Sequence, residues 1–332
     1  MENINFDKLK QLVMQFGNSS VMLSFHSVGD TDAVASAIAL AKMFPNSSIS
    51  TPDKISYNVG RILQKLDYKS KISTGFNHDA NLIVLLDVNN FEDCGSFLQN
   101  LSGTATAILI IDHHSPSEIK KDNVYAFNDE SYASTSSIIY KLLKVLGIQV
   151  DQNTAKLLAL GIISDAAEFK NSSSLTFRQL GELFDIAKTD YSTLLNDFFY
   201  TPTAENRASI ISELFSSNVA IKNDIIFLYG STSVHPGSTA DIAIKIGADV
   251  AIFRGEHKDS ISFSTRLRTG LDKKYGIDLG KIMKKLSHII SGSGGGHPCA
   301  GGAYGKAKEG GDAFVEYFIL EVLKNIKHQR QK

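Results

Sequence analysis

The chain has 332 residues, 43% of them hydrophobic, and a formal net charge of −1. That length exceeds one ordinary domain and falls short of three, so two domains are expected, each able to bury a core. Its two cysteines, Cys94 and Cys299, lie far apart without metal-binding spacing, which argues against a disulfide framework or a structural zinc site; no signal-peptide core and no run of ~18 apolar residues is present, so a cytoplasmic chain without targeting or membrane association is expected.

The near-neutral total hides an asymmetry. Residues 1–215 carry 17 basic and 24 acidic side chains, a net of −7, and residues 216–332 carry 17 and 11, a net of +6. An acidic half suits cations and a basic half suits phosphate.

In chain order, MENINFDKLKQLV looks helical and VMLSF (21–25) reads as a strand, followed by the helical stretch DAVASAIALAKMF (32–44). NLIVLLDV (81–88), AILIID (107–112) and VYAF (124–127) read as further strands. Strands alternating with helices predict a mostly parallel sheet. Residues 134–187 have apolar spacing near the helical period. The pattern weakens into a linker with a connecting helix at 191–216. It restarts with NVAIKN and IIFLYG as a hairpin, a helix near 239–247, strands near 249–253 and 259–266, a helix near 278–290, the glycine-rich SGSGGGHPCAGGAYG, and a last helix near 311–327. Composition alone makes the glycine-rich stretch a flexible turn between two helices.

Three strand ends carry the same chemistry: His26 with Asp30 and Asp32 after the first, Asp87 after the second, and Asp112-His113-His114 after the third, with Asp165 in the helical section. An Asp after a strand is often only a helix cap. Caps and core histidines do not jointly require three strand ends of one kind, and in open parallel sheets ligands collect at those ends. Carboxylate and imidazole without thiolate suit Mn²⁺ or another divalent first-row ion, and two such ions suit in-line phosphoryl hydrolysis.

These residues resemble the DHH phosphoesterase superfamily: HSVGDTDAVASAIAL, LLDV, IDHHSPS and GIISDAAEF stand in that family's order over most of residues 20–170. The resemblance implies an α/β fold with a parallel-sheet DHH domain (1–190) carrying helices on both faces, a smaller α/β DHH-associated domain (217–332), and an active-site cleft between them. It implies two metal ions, Mn²⁺ with Mg²⁺ or Co²⁺ as substitutes, one held by His26, Asp30 and Asp87 and the other by Asp32, Asp87, His113 and Asp165. Asp87 would bridge, His114 would face substrate phosphate and Asp112 would orient its neighbours, so Asp87, Asp112, His113 and His114 make up the expected catalytic group. Many members have proline before the first Asp of the opening motif, where this chain has Gly29. Ser134 and Thr135, where relatives often have small hydroxyl residues, are expected to cap a helix.

GGGHPCAGG is similar to the GGGH-x-x-A-x-G motif of the DHH-associated domain in NrnA-type and RecJ-type enzymes, and SFSTRLR resembles its Ser-x-Arg strand. Gly294, Gly295, Gly296 and His297, with Arg266 and more loosely Arg268, are therefore the expected phosphate grip; Gly301 stands where many relatives have Ala. The resemblance implies a hydrolase of short single-stranded RNA or DNA, with pAp-type phosphatase activity alongside. A RecJ-like exonuclease on longer strands, a cyclic or linear dinucleotide phosphodiesterase, and a non-catalytic nucleic-acid-binding subunit are the alternatives. A homodimer is compatible with this architecture. Longer strands need a basic groove with stacking aromatics, and the sequence shows no such platform beyond scattered Tyr and Phe.

Overall fold

The structure is a computed structural model that describes residues 1–53, 55–68, 71–115, Ile119, 121–166, Phe169, 172–198, 203–233, 236–306 and 310–330. The chain divides into two compact units, residues 1–201 and 202–332. No helix among the described residues is long and apolar enough to cross a membrane.

The first unit is built on a seven-stranded, wholly parallel sheet: β1 (Glu2–Asn3), β2 (Val21–Phe25), β3 (Ser47–Thr51), β4 (Ile72–Thr74), β5 (Leu82–Leu86), β6 (Ala107–Asp112) and β7 (Val124–Asn128). Its central strands read as continuous apolar runs because both faces are covered. Leu82, Val84 and Leu86 join one core beneath α1 (Phe6–Gln15), α2 (Thr31–Leu40), α3 (Tyr57–Lys65), α5 (Thr135–Val145), α6 (Gln152–Asp165) and α7 (Ser174–Ala187). Ile83 and Leu85 face the opposite core, under the 3₁₀ segment Phe91–Phe97 and α4 (Leu98–Gly103). Strand order is β1-β7-β6-β5-β2-β3-β4. The chain winds outward from β2 through β3 to β4, then returns to β5 on the other side of β2 and winds away through β6 to β7. The direction therefore reverses between β2 and β5, where open parallel sheets leave a ligand crevice at their carboxyl ends. The short helix α8 (Tyr191–Phe198) buries Leu194 and Phe198 in this unit.

The second unit begins with α9 (Ala204–Phe215) and carries a six-stranded mixed sheet of order β12-β13-β11-β10-β9-β8. Its strands are β8 (Asn218–Lys222), β9 (Ile225–Thr232), β10 (Val250–His257), β11 (Ser260–Leu267), β12 (Gly292–His297) and β13 (Ala300–Gly305), and only β9 with β10 is a parallel pair. The crossover between those two is α10 (Pro236–Lys245), packed against β10 through Ala240 and Ala243. On the opposite face lie α11 (Leu271–Tyr275), α12 (Leu279–Leu286) and α13 (Gly311–Arg330). The last of these buries Phe314, Phe318, Val322 and Ile326, a stripe at i, i+4, i+8 and i+12.

The glycine-rich stretch is not a flexible turn: it forms both strands of the β12–β13 hairpin. The glycines are required by packing against α12 at Gly294 and by backbone conformation at Gly296. A Cβ on Gly294 would meet the Met283 carbonyl oxygen at 2.5 Å, and Gly296 has φ +134°. A Cβ on Gly295, which points the other way, would meet nothing within 4 Å.

Candidate metal centre

His26 directly follows β2. The loop to α2 turns through Gly29 at φ +53°, a left-handed conformation closed to proline, and a side chain there would press on Phe25 and Ile55. Gly29 is thus a different solution to this turn from the proline of many relatives. Asp30 caps α2 by accepting the Ala33 N–H at 3.0 Å, and its other carboxylate oxygen faces His26 Nε2 at 3.4 Å.

Asp32, in the first turn of α2, is fully buried. Its two oxygens accept the backbone N–H groups of Thr135 (2.7 Å) and Ser136 (2.8 Å), so the carboxylate sits on the N-terminus of α5. The end of that helix favours the anion. Burial and the nearby Asp165 and Asp87 carboxylates push its pKa well above the usual range, so the helix alone does not compensate the charge.

Asp87 leaves β5 at φ +59°, a left-handed backbone that is uncommon for a residue with a side chain. The turn aims its carboxylate between two sets of imidazoles. Oδ2 lies 3.5 Å from His26 Nε2, and Oδ1 lies 3.6 Å from His113 Nε2 and 3.5 Å from His114 Nδ1. The Thr135 hydroxyl donates to Oδ1 at 3.2 Å. Thr135 is therefore the first residue of α5 and a partner of the central carboxylate, whereas Ser134 is the cap, accepting the Ser137 N–H at 3.1 Å.

Asp165 ends α6 and brings Oδ2 to 3.2 Å from His113 Nε2. Asp112 is fully buried; one oxygen accepts the His114 N–H at 3.2 Å and meets His114 Nδ1 at 2.8 Å. That contact, the largest influence on His114, raises the imidazole's pKa, while burial opposes it.

Donor atoms of His26, Asp30 and Asp87 lie within 4.8 Å of one another, as do those of Asp32, Asp87, His113 and Asp165, and those of Asp87, Asp112, His113 and His114. The set fits divalent cations. It is oxygen and imidazole throughout, and the buried His113 Nε2 makes no hydrogen bond although two carboxylates are close, as expected where donors converge on a common point between them. The cluster also has the electrostatics of a cation site. Burial disfavours charged imidazoles, yet the contacts of His26 with Asp30 and Asp87 raise its pKa to about 10, and Asp165, Asp32 and Asp87 raise that of His113 to about 9. Cys94 stays outside the set, its thiol pushed up to about 12 by burial.

Gly161 of α6 was not singled out in the sequence, yet it makes room for this arrangement. A Cβ there would overlap Ser136 Oγ and lie 3.1 Å from both Ser136 Cβ and Asp32 Oδ1. The small residues of STSS and GIISD are the only signal that points to it.

In the second unit, Arg266 pairs with Ala300, and Ala300 pairs with His297, directly across neighbouring strands. Partners in register share a face, so Arg266 and His297 stand on the same side of the sheet, about 10 Å apart with only a methyl group between them. Gly295 and Gly302 continue that face without side chains. The Arg266 Nε edge is held by Asp241 of α10 at 2.5 Å, and Arg268 Nε is held by Asp249 at 2.5 Å. Each arginine keeps N–H groups that its carboxylate does not take. Gly294 turns toward α12, and the backbone of Gly296 lies against Gly280 of that helix, so both are committed to packing.

Residues 20–162 match the model of the DHH family, N-terminal domain, and residues 225–324 match that of the DHHA1 domain. The chain is 28% identical over 337 residues to protein MJ0988 of Methanocaldococcus jannaschii, covering 96% of each. It is 28% identical over 155 residues to a probable manganese-dependent inorganic pyrophosphatase of Staphylococcus haemolyticus, covering 44% of this chain and 48% of that one. A crystal structure of an exopolyphosphatase-related protein from Bacteroides fragilis has the same fold, with a TM-score of 0.76 and 15% identity over 98% of this chain and 97% of that one.

Proposed function

We propose, from the DHH-family N-terminal domain and the DHHA1 domain that the chain carries, that it is a two-metal, Mn²⁺-dependent phosphodiesterase acting on short single-stranded oligonucleotides, with removal of phosphate from pAp-type nucleotides as a related activity. The observation that carries the reading is the convergence of His26, Asp30, Asp32, Asp87, His113 and Asp165 at the switch point of a parallel sheet, with Asp87 common to both ligand sets. The manganese-dependent relative supports the choice of ion. When bound, a pair of divalent cations supplies Lewis-acid polarisation of the phosphoryl group and activation of water.

The protein's own groups do the rest. Asp87 lies between the two ligand sets, its orientation held by Thr135 and by its left-handed backbone. Asp112 takes His114 Nδ1, which leaves Nε2 of this half-exposed imidazole to donate a proton or a hydrogen bond to phosphate oxygen. In the DHHA1 unit, Arg266 and His297 would grip a substrate phosphate across Ala300, and Gly295 and Gly302 would let the nucleotide lie close to the sheet. Pyrophosphate needs no such extended surface, and the sequence likeness to the manganese-dependent pyrophosphatases is confined to about half of each chain. These features favour a nucleotide substrate.

The test is a panel of pyrophosphate, pAp, cyclic di-AMP, dinucleotides and end-labelled single strands of increasing length, with Mn²⁺ and with Asp87→Asn protein alongside. Metal-dependent cleavage fastest on the shortest strands, lost in Asp87→Asn, is the expected result. Fastest turnover of pyrophosphate, or processive degradation of long strands, would overturn it.

A further inference from the structure

Three aromatic side chains that are scattered in the sequence come together in the first unit around Phe169, which stands close in sequence to a candidate metal ligand. Phe169 follows Asp165 by four positions, Phe177 lies in the second turn of α7, and Tyr191 opens α8. The Phe169 ring centroid is 5.4 Å from that of Phe177 and 5.7 Å from that of Tyr191, with interplanar angles of 34° and 57°.

Phe169 is half-buried against the main core of the unit and anchors the group. Its backbone has φ +64°, a strained conformation for a residue with a Cβ, and its carbonyl accepts the Ser172 N–H at 3.3 Å in the turn leading to α7. The other two rings are open to solvent, Phe177 at 55% exposure and Tyr191 at 41%. An isolated exposed aromatic needs no explanation, but two exposed rings that both pack on a third, the third held on strained backbone four residues from a candidate ligand, form a preorganised apolar face.

Resting on the oligonucleotide reading above, we infer that Phe169, Phe177 and Tyr191 form a stacking platform for a nucleobase of the substrate. Four residues of chain span at most roughly 14 Å, so the platform starts no further than that from Asp165. The two open rings lie one ring contact beyond that, and stacked nucleotides rise ~3.4 Å each, so a strand of roughly six nucleotides is long enough to join the stacked base to the bond to be cut. Every base has a π-face, so the platform confers a requirement for a base without a preference for which one. It also selects nucleic acid over pyrophosphate or polyphosphate, which have nothing to stack.

The chain contains no tryptophan, so Phe177→Trp introduces a single tryptophan, excitable apart from the tyrosines, while keeping an aromatic face. With Ca²⁺ in place of Mn²⁺ to suppress turnover, its emission is expected to be quenched by a short oligoadenylate and not by the same strand made abasic. In steady-state assays Phe177→Ala should lower kcat/KM for the base-bearing strand relative to the abasic strand by about 5- to 100-fold, mostly through KM, the effect of losing one base–aromatic stack. Phe177→Trp should restore the preference. A purely structural role for the ring would lower melting temperature or total activity and leave that ratio alone. If the unsubstituted protein cleaves oligonucleotides but Phe177→Ala keeps the wild-type ratio, or Phe177→Trp is not quenched, the platform is refuted by itself. If the unsubstituted protein cleaves no oligonucleotide, the functional reading fails and the platform falls with it.

Discussion

Replacing Gly161 by alanine adds one methyl group at the point where α6 crosses the start of α5. The new Cβ would stand 3.1 Å from Ser136 Cβ, against an optimal carbon–carbon separation of ~3.5–4.0 Å, so the helices must part locally by about 0.4–0.9 Å. Ser136 cannot move alone, because its N–H holds Asp32 at 2.8 Å and its hydroxyl meets the Asp32 carbonyl at 3.3 Å. Metal coordination distances hold to about 0.2 Å, so the displacement exceeds what the Asp32, Asp87, His113 and Asp165 set tolerates. Loss of such support typically weakens metal binding ~10- to 100-fold. The fold itself should suffer less: alanine improves helix propensity by ~1 kcal/mol, against an overpacking cost of ~1–3 kcal/mol. The expected outcome is a 10- to 100-fold loss in Mn²⁺ affinity by titration calorimetry with at most ~2 kcal/mol lost by denaturant melting of the metal-free protein. Adding Ser136→Gly should recover much of the affinity, since it removes the atoms in collision. Mn²⁺ affinity within twofold of the parent would refute the claim that this glycine holds the ligand geometry.

Two further outcomes follow from packing and charge. Gly294→Ala should destabilise the second unit by ~1–3 kcal/mol, because its Cβ would strike the backbone of α12, whereas Gly295→Ala should leave the melting temperature nearly unchanged; equal effects in thermal unfolding would contradict the assigned faces. Burial alone would raise the pKa of Asp151, the cap of α6, but Lys42 at 2.5 Å and the N–H and hydroxyl of Thr154 pull it down to about 2. The folded value lies below the unfolded one of ~3.9, so this stabilisation is complete above that pH and is lost as pH falls toward 2. The stability difference between the parent and Asp151→Asn should therefore be constant near neutrality and shrink between about pH 4 and 2. A constant difference throughout acid titration would show that Asp151 does not titrate in this way.

Much of the first unit is legible in the sequence because its central strands are buried on both faces. VMLSF, LIVLL and AILIID are almost wholly apolar, and the site residues stand at or just after their ends, so pattern and chemistry coincide at His26, Asp87 and Asp112–His114. Strands β3 (SSIST) and β4 (IST) left no such mark. They are polar and short, and they are strands because each has a parallel neighbour to complete its backbone hydrogen bonds. The hairpin β12–β13 was hidden for the opposite reason. Glycine has poor strand propensity, and it is required there because α12 packs directly on the strand backbone at Gly294 and because a side chain at Gly292 or Gly296 would strike the neighbouring strand.

The ligand types, their order and their attachment to strand ends are local properties, and they are determined by the sequence alone. Which donors face one another is not local. The strand order puts β2 beside β5, the left-handed turn at Asp87 aims one carboxylate at imidazoles from two strands, and the N-terminus of α5 takes up Asp32 from 103 residues away. The same holds for Gly161 beneath Asp32 and for the rings of Phe169, Phe177 and Tyr191, which come from three segments and become neighbours only when α6, α7 and α8 pack. Side-chain chemistry is written residue by residue, whereas convergence depends on sheet order and helix packing, and those are decided by burying the whole core at once.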